Sequence, residues 1–205
     1  IFDNAKTDIS EADEQRLIAS LKKLSAYEDL EDVLDTDKVL RYFVVHNFVV
    51  NGDSYTGSMI HNYYLYEQDG KLAMIPWDYN LAFGTFQSND ADLAVNDDID
   101  AVLSDRPMQA WMFSSEDEAY TAEYHALFAE FLETVDWGAI IDEAYTLIAP
   151  YVEKDPTKFC TAEEFETGAA ALRTFCQLRS EAVAAQLAGE ETAVDASGLT
   201  LLEMG

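Results

Sequence analysis

The chain of 205 residues carries 40 acidic against 12 basic side chains, a formal net charge of −28, and 49% of its residues are hydrophobic. That apolar share excludes a disordered chain, and the length suits one sizeable core. The charge excludes nucleic acid and anionic membranes as partners and favours basic ones; it admits a nucleotide only when a divalent cation accompanies the phosphates. From the N-terminus, ISEADEQRLIASLKKLSA reads as a helix capped by Ser10, with acids in its first turn and a stripe of Leu17, Ile18, Leu21 and Leu24. A short acidic helix, YEDLEDVLD, follows. TDKVLRYFVVHNFVV, capped by Thr36 or Asp37, is apolar around much of its circumference and predicts a buried core helix, with His46 as a core histidine.

Residues 51–60 then turn to loop chemistry, with Asn51, Gly52, Asp53, Gly57 and Ser58. HNYYLYEQ and KLAMIPW flank an Asp-Gly pair, which predicts a β-hairpin with alternate rings of Tyr63, Tyr64 and Tyr66 facing the core. Residues 78–105 read as a long irregular segment. Its stretch NDADLAVNDDID lacks the glycine and closing glutamate of a calcium loop and reads as a solvated acidic loop. Helices are predicted near 106–113, 116–134, 137–154 and 162–188, the last two separated by KDPTKF, and residues 191–205 read as a tail. The fold class is therefore α+β, mostly helical, with one central hairpin. Its longest apolar run, YFVVHNFVV, is far short of a membrane span, and no signal peptide is visible. The start at IFDN, without Met, is read as a piece of something longer. Cys160 and Cys176 form no CxxC and have no histidine at zinc spacing; a disulfide is open to them in an exported protein, but two partly buried free thiols are expected.

The order of buried helix, loop with Asp, Asn, strand, turn, strand, Asp is that of the lower half of a protein kinase site. There a catalytic-loop Asp accepts the substrate hydroxyl proton, and an Asn and a later Asp hold magnesium. Magnesium takes hard oxygen ligands, which Asp53, Asn62 and Asp78 would supply. The spacing departs from the usual one: nine positions separate Asp53 from Asn62, NGD stands for His-Arg-Asp, and WDYN stands for Asp-Phe-Gly. On residues alone, turn chemistry is the favoured explanation of Asp53 beside Gly52, with Asn62 capping or bridging the loop.

The stretch RYFVVHNFVVNGDSYTGSMIHNYYLYEQDGKLAMIPWDYNLAFG resembles the core of the spore coat protein H (CotH) kinase family, atypical bacterial kinases with secreted and cellulosome-associated relatives. The shared pattern is Asn51-x-Asp53, His61 to Tyr66, and Pro76-Trp77-Asp78 followed by Phe83 and Gly84. Arg106-Pro-Met and the last helices extend the resemblance over about residues 1–190. It implies the C-lobe of an atypical kinase, with Asp53 catalytic, Asn62 and Asp78 on the metal, and His61, Asn51 and Trp77 in support. It implies ATP with Mg2+ or Mn2+, Ser/Thr hydroxyls of proteins as acceptors, and a spore-coat or extracellular setting; the acidic surface suggests basic substrates. No GxGxxG occurs among the nine glycines. The family keeps its nucleotide-gripping lobe upstream, so the chain is expected to begin after it. The competing expectation is a non-catalytic scaffold, or a metal- or partner-binding module, of an exported protein. Arg106 would pair with an acid or a substrate phosphate.

Overall fold

In the structure, a computed structural model, residues 2–87, 90–114, 118–191 and 193–201 are described. A single 3-10 turn, Phe2–Asn4, precedes α1 (Glu11–Ala26). Ser10 and Asp13 form a full capping box there, each side chain meeting the other's backbone N–H. α2 (Leu30–Val33) is one turn, and α3 (Thr36–Phe48) follows at once. The cap of α3 is Asp35 rather than Thr36 or Asp37. The Asp35 N–H donates to Leu72 O at 3.0 Å, which turns the chain one residue early and aims the Asp35 carboxylate at Lys38 N.

α3 is the central element. Val39, Leu40, Phe43 and Phe48 are fully buried, and the helix packs on the hairpin and on two later helices, Pro107–Ser114 and Ala119–Thr134. β1 (Tyr63–Gln68) and β2 (Lys71–Pro76) pair antiparallel, Tyr63 opposite Pro76 through Gln68 opposite Lys71. Asp69 and Gly70 both take positive φ (54° and 83°), the primed turn that the right-handed strand twist selects. Strand alternation sends Leu65, Leu72 and Met74 inward; Tyr63 meets the ring of buried Tyr55 edge-on, while Tyr66 and Ile75 stay exposed.

After the 3-10 turn Tyr79–Leu81, the segment read as irregular contains α4 (Ala91–Val95), capped by Asp90. Ala91, Ala94, Val95 and Ile99 are buried, so this is a packed stretch with acids on its outer side, rather than a solvated loop. Ser88 and Asn89 lie outside the described residues. α5 (Pro107–Ser114), α6 (Ala119–Thr134), α7 (Trp137–Lys154) and α8 (Ala162–Leu187) follow. The predicted start of α6 at 116 falls on residues 115–117, which are not described. Residues 193–201 lie along α4, where the Asn96 side chain exchanges hydrogen bonds with the Val194 backbone and Ala196 N donates to Asp92 Oδ1. Both cysteines are free thiols. Cys176 is buried, and burial pushes its thiol up to about 12, so it stays protonated and unreactive. Among the described residues no helix is long and apolar enough to cross a membrane.

Candidate active site

α3 ends at Phe48 and delivers the chain into the loop that carries Asp53. This loop closes tightly on itself. A Cβ at Gly57 would lie 1.9 Å from Gly52 O, so only glycine fits at 57. The loop is tied down from α5. Arg106, itself buried, donates from Nε to Tyr55 O (2.7 Å) and from Nη2 to Gly57 O (2.9 Å), and Tyr55 Oη accepts from Met108 N (3.0 Å). Its Nη1 sits 2.7 Å from Asp105 Oδ2, an ion pair without hydrogen-bond alignment. Arg106 thus has the acidic partner expected of it, Asp105, and in addition braces the Asp53 loop through two backbone carbonyls that the sequence did not indicate.

Within this frame the sequence motif converges. Asp53 is 6% exposed. Its Oδ1 is 2.5 Å from His61 Nε2, and its Oδ2 accepts from Asn62 Nδ2 at 3.0 Å. The same Nδ2 reaches Asp53 O at 2.9 Å, and Ser54 Oγ donates to Asn62 O. Asn51 Oδ1 accepts from Asp53 N at 3.1 Å, while Asn51 Nδ2 is buried without a hydrogen-bond partner. Asn51, Asp53, His61 and Asn62 are thus one constellation. His61 is about as near to Asp53 as Asn62 is, and it stands partly open to solvent.

Asn62 holds φ +53°, which turns the side chain back to Asp53 just before β1 begins. Both partner atoms of Nδ2 are acceptors, so the amide nitrogen, not Oδ1, faces Asp53. The hairpin register sets Tyr63 opposite Pro76, so Asn62 and Asp78 leave the same end of the ladder. Asp78 also lies in the left-handed region (φ +55°) and is exposed. Trp77 packs edge-on against Tyr64 at 5.5 Å and is 56% exposed.

Backbone strain gathers here. Val50, Ile60, Asn62, Asp78, Phe83 and Gln87 all have positive φ, two of them β-branched. The strained segments are bonded together, Phe83 N to Val49 O (2.5 Å) and Gly84 N to Val50 O (3.2 Å). His46 adds side-chain bonds. It is 2% exposed, with Nε2 at 2.7 Å from Thr56 Oγ1 and Nδ1 at 2.8 Å from Tyr79 Oη. Burial alone lowers its pKa from 6.5 to about 4, so the imidazole is neutral. Sequence reasoning placed His46 in the core and missed these bonds. A histidine in an otherwise apolar helix, directly before a loop rich in hydroxyls, was the available signal. His125, on α6, pairs with Asp100 at 2.8 Å, away from the site residues.

Among the described residues no three His, Cys, Asp or Glu side chains are grouped to hold a metal ion. The oxygens that the sequence offers for one are the amide carbonyl of Asn62 and the carboxylate of Asp78, which is exposed. Two hard oxygens suit magnesium or manganese held jointly with water and phosphate, and they do not suit a metal caged by protein alone.

A search of curated proteins returned no match. Residues 2–183 match the protein family described as CotH kinase protein, which spans the hairpin, both site loops and most of α8. The motif, the α+β architecture and that match agree: the chain belongs to the CotH kinase family and is a kinase-like domain.

Proposed function

We propose that this domain serves transfer of the ATP γ-phosphate to Ser or Thr hydroxyls of basic spore-coat or extracellular proteins. The observation that carries this reading is the bond from Asn62 to the Asp53 carboxylate, at the end of the hairpin from which Asp78 emerges. Asp53 orients the acceptor hydroxyl and takes its proton as the oxygen bonds to the γ-phosphorus and the bond from that phosphorus to the β-phosphate oxygen breaks, releasing ADP. Asn62 and Asp78 hold Mg2+ or Mn2+, which when bound neutralises the phosphate charge that a surface of net charge −28 would otherwise repel. Asn51 fixes the Asp53 backbone, His61 holds its carboxylate, and Trp77 packs at the rim.

A non-catalytic scaffold or partner-binding module is the second reading. One observation favours it: both Asp53 carboxylate oxygens already have protein partners. The two readings separate in a thermal-shift titration with ATP and Mg2+ or Mn2+, beside Asp78→Ala. The kinase reading expects stabilisation only when nucleotide and metal are both present, about 2.7 kcal/mol at ligand a hundredfold above Kd, and none in the variant. Equal shifts in wild type and Asp78→Ala would remove Asp78 from the metal site.

A further inference from the structure

We propose that His46, which lies outside the sequence motif, is a positioning residue that couples the Asp53 loop to the Asp78 turn and keeps the two carboxylates in one fixed relation. What the coupling serves rests on the phosphoryl-transfer reading; the coupling itself rests on geometry.

His46 has one ring nitrogen on each loop. Thr56, bonded to Nε2 at 2.7 Å, follows Asp53 by three residues. Tyr79, bonded to Nδ1 at 2.8 Å, is the residue after Asp78. Two neutral arrangements satisfy every group in the chain Thr56–His46–Tyr79–Tyr42. Where Tyr79 Oη donates to Tyr42 Oη (3.3 Å), it accepts from Nδ1–H and the Thr56 hydroxyl donates to Nε2; the other tautomer reverses each bond. In both, each ring nitrogen is bonded to a hydroxyl of a different loop.

The ring cannot adapt easily to movement of either loop. It stacks on Tyr42 (5.4 Å, 12°) and meets Phe43 and Tyr79 edge-on (6.1 Å, 90° and 5.9 Å, 71°). Its backbone belongs to α3, the central helix of the core. Both loops are thus referenced to one rigid element, as a metal and hydroxyl clamp requires. The backbone bonds from Phe83 and Gly84 to Val49 and Val50 hold the same two segments at a second point. A histidine that merely filled space would need a partner for its N–H; here both nitrogens take side-chain hydroxyls from different site loops.

Amide hydrogen exchange on the full 205-residue chain tests this with Thr56→Val, Tyr79→Phe and His46→Phe, each close to its parent in shape. Coupling predicts that Thr56→Val speeds exchange about fivefold in residues 78–84 as well as in 51–57, and that Tyr79→Phe does the converse. In a His46→Phe background, either second substitution should add nothing across the gap. If His46→Phe fails to fold, the two loop variants still decide. Effects confined to each variant's own loop overturn the proposal and leave His46 a packing residue. Stabilisation of the wild type by ATP with Mn2+ is read in parallel. Exchange that spreads between loops, without any such stabilisation, keeps the coupling and removes metal–nucleotide binding by this chain alone. Stabilisation without spread does the reverse.

Discussion

A proton on His46 would have to sit among Tyr42, Phe43 and Tyr79, out of reach of water, and burial accordingly lowers its pKa from 6.5 to about 4. Between those values the unfolded chain binds a proton that the folded chain refuses. Stability from this residue is intact above pH 6.5, falls as the pH drops, and levels off below about pH 4. The full loss is on the order of 3 kcal/mol. The neighbouring tyrosines stay neutral over this range, since burial raises the pKa of Tyr42 and Tyr79. Denaturation at pH 7 and near pH 4.5 should show the wild type losing ground to His46→Phe; parallel losses would disprove the assignment. The sequence told more about Asp53, Asn62 and Asp78 than about His46, and the reason is physical. The first three belong to a contiguous motif whose chemistry names its residue types. The partners of His46 lie 10 and 33 positions away, and only the packed fold brings them to its ring.

α8 secures the end of α3 from the far side of the core. Arg179 is fully buried and donates to four carbonyls: Asn47 (2.9 Å), Phe48 (3.3 Å), Val95 (2.9 Å) and Asp97 (2.6 Å). Those carbonyls terminate α3 and α4, where helices leave acceptors unpaired and a cation is favoured. Burial lowers the guanidinium to about 10, so it remains charged at neutral pH. Arg179→Met should cost about 3–5 kcal/mol in urea denaturation, because several buried carbonyls lose their donor. Arg179→Lys should recover little, since one ammonium cannot reproduce the planar fork; near wild-type stability for the lysine variant would contradict this. At this scale legibility followed element length. The hairpin announced itself through Asp-Gly and alternation, and the long helices through their stripes. α4, five residues long, is too short to display a period, and the cap of α3 depended on a bond to β2 that no local window contains.

For the whole molecule the decisive quantity is charge. At −28 over 205 residues, compaction brings like charges together, and surface pairs such as Arg41 with Asp37 offset little of that repulsion. Raising ionic strength from about 0.01 M to about 0.15 M shortens the screening length from roughly 30 Å to 8 Å. The melting temperature should therefore rise by several degrees over that interval; a flat or falling response would show that the compact state does not carry this strain. The acidic balance was plain from composition alone. The shared frame of the two site loops was not, because it is built from bonds between segments that composition and periodicity treat as separate loops.

The span of the Arg179 bonds has a consequence for synthesis. Phe48 and Arg179 are 131 positions apart in the chain. At translation rates of about 5–20 residues per second, roughly 7–26 s pass between the two leaving the ribosome. Throughout that interval the end of α3 lacks the donor that anchors it, and its apolar surface stays available to chaperones and to other nascent chains. The Asp53 loop, which follows directly on the end of α3, is therefore among the last parts of the domain to take its final form.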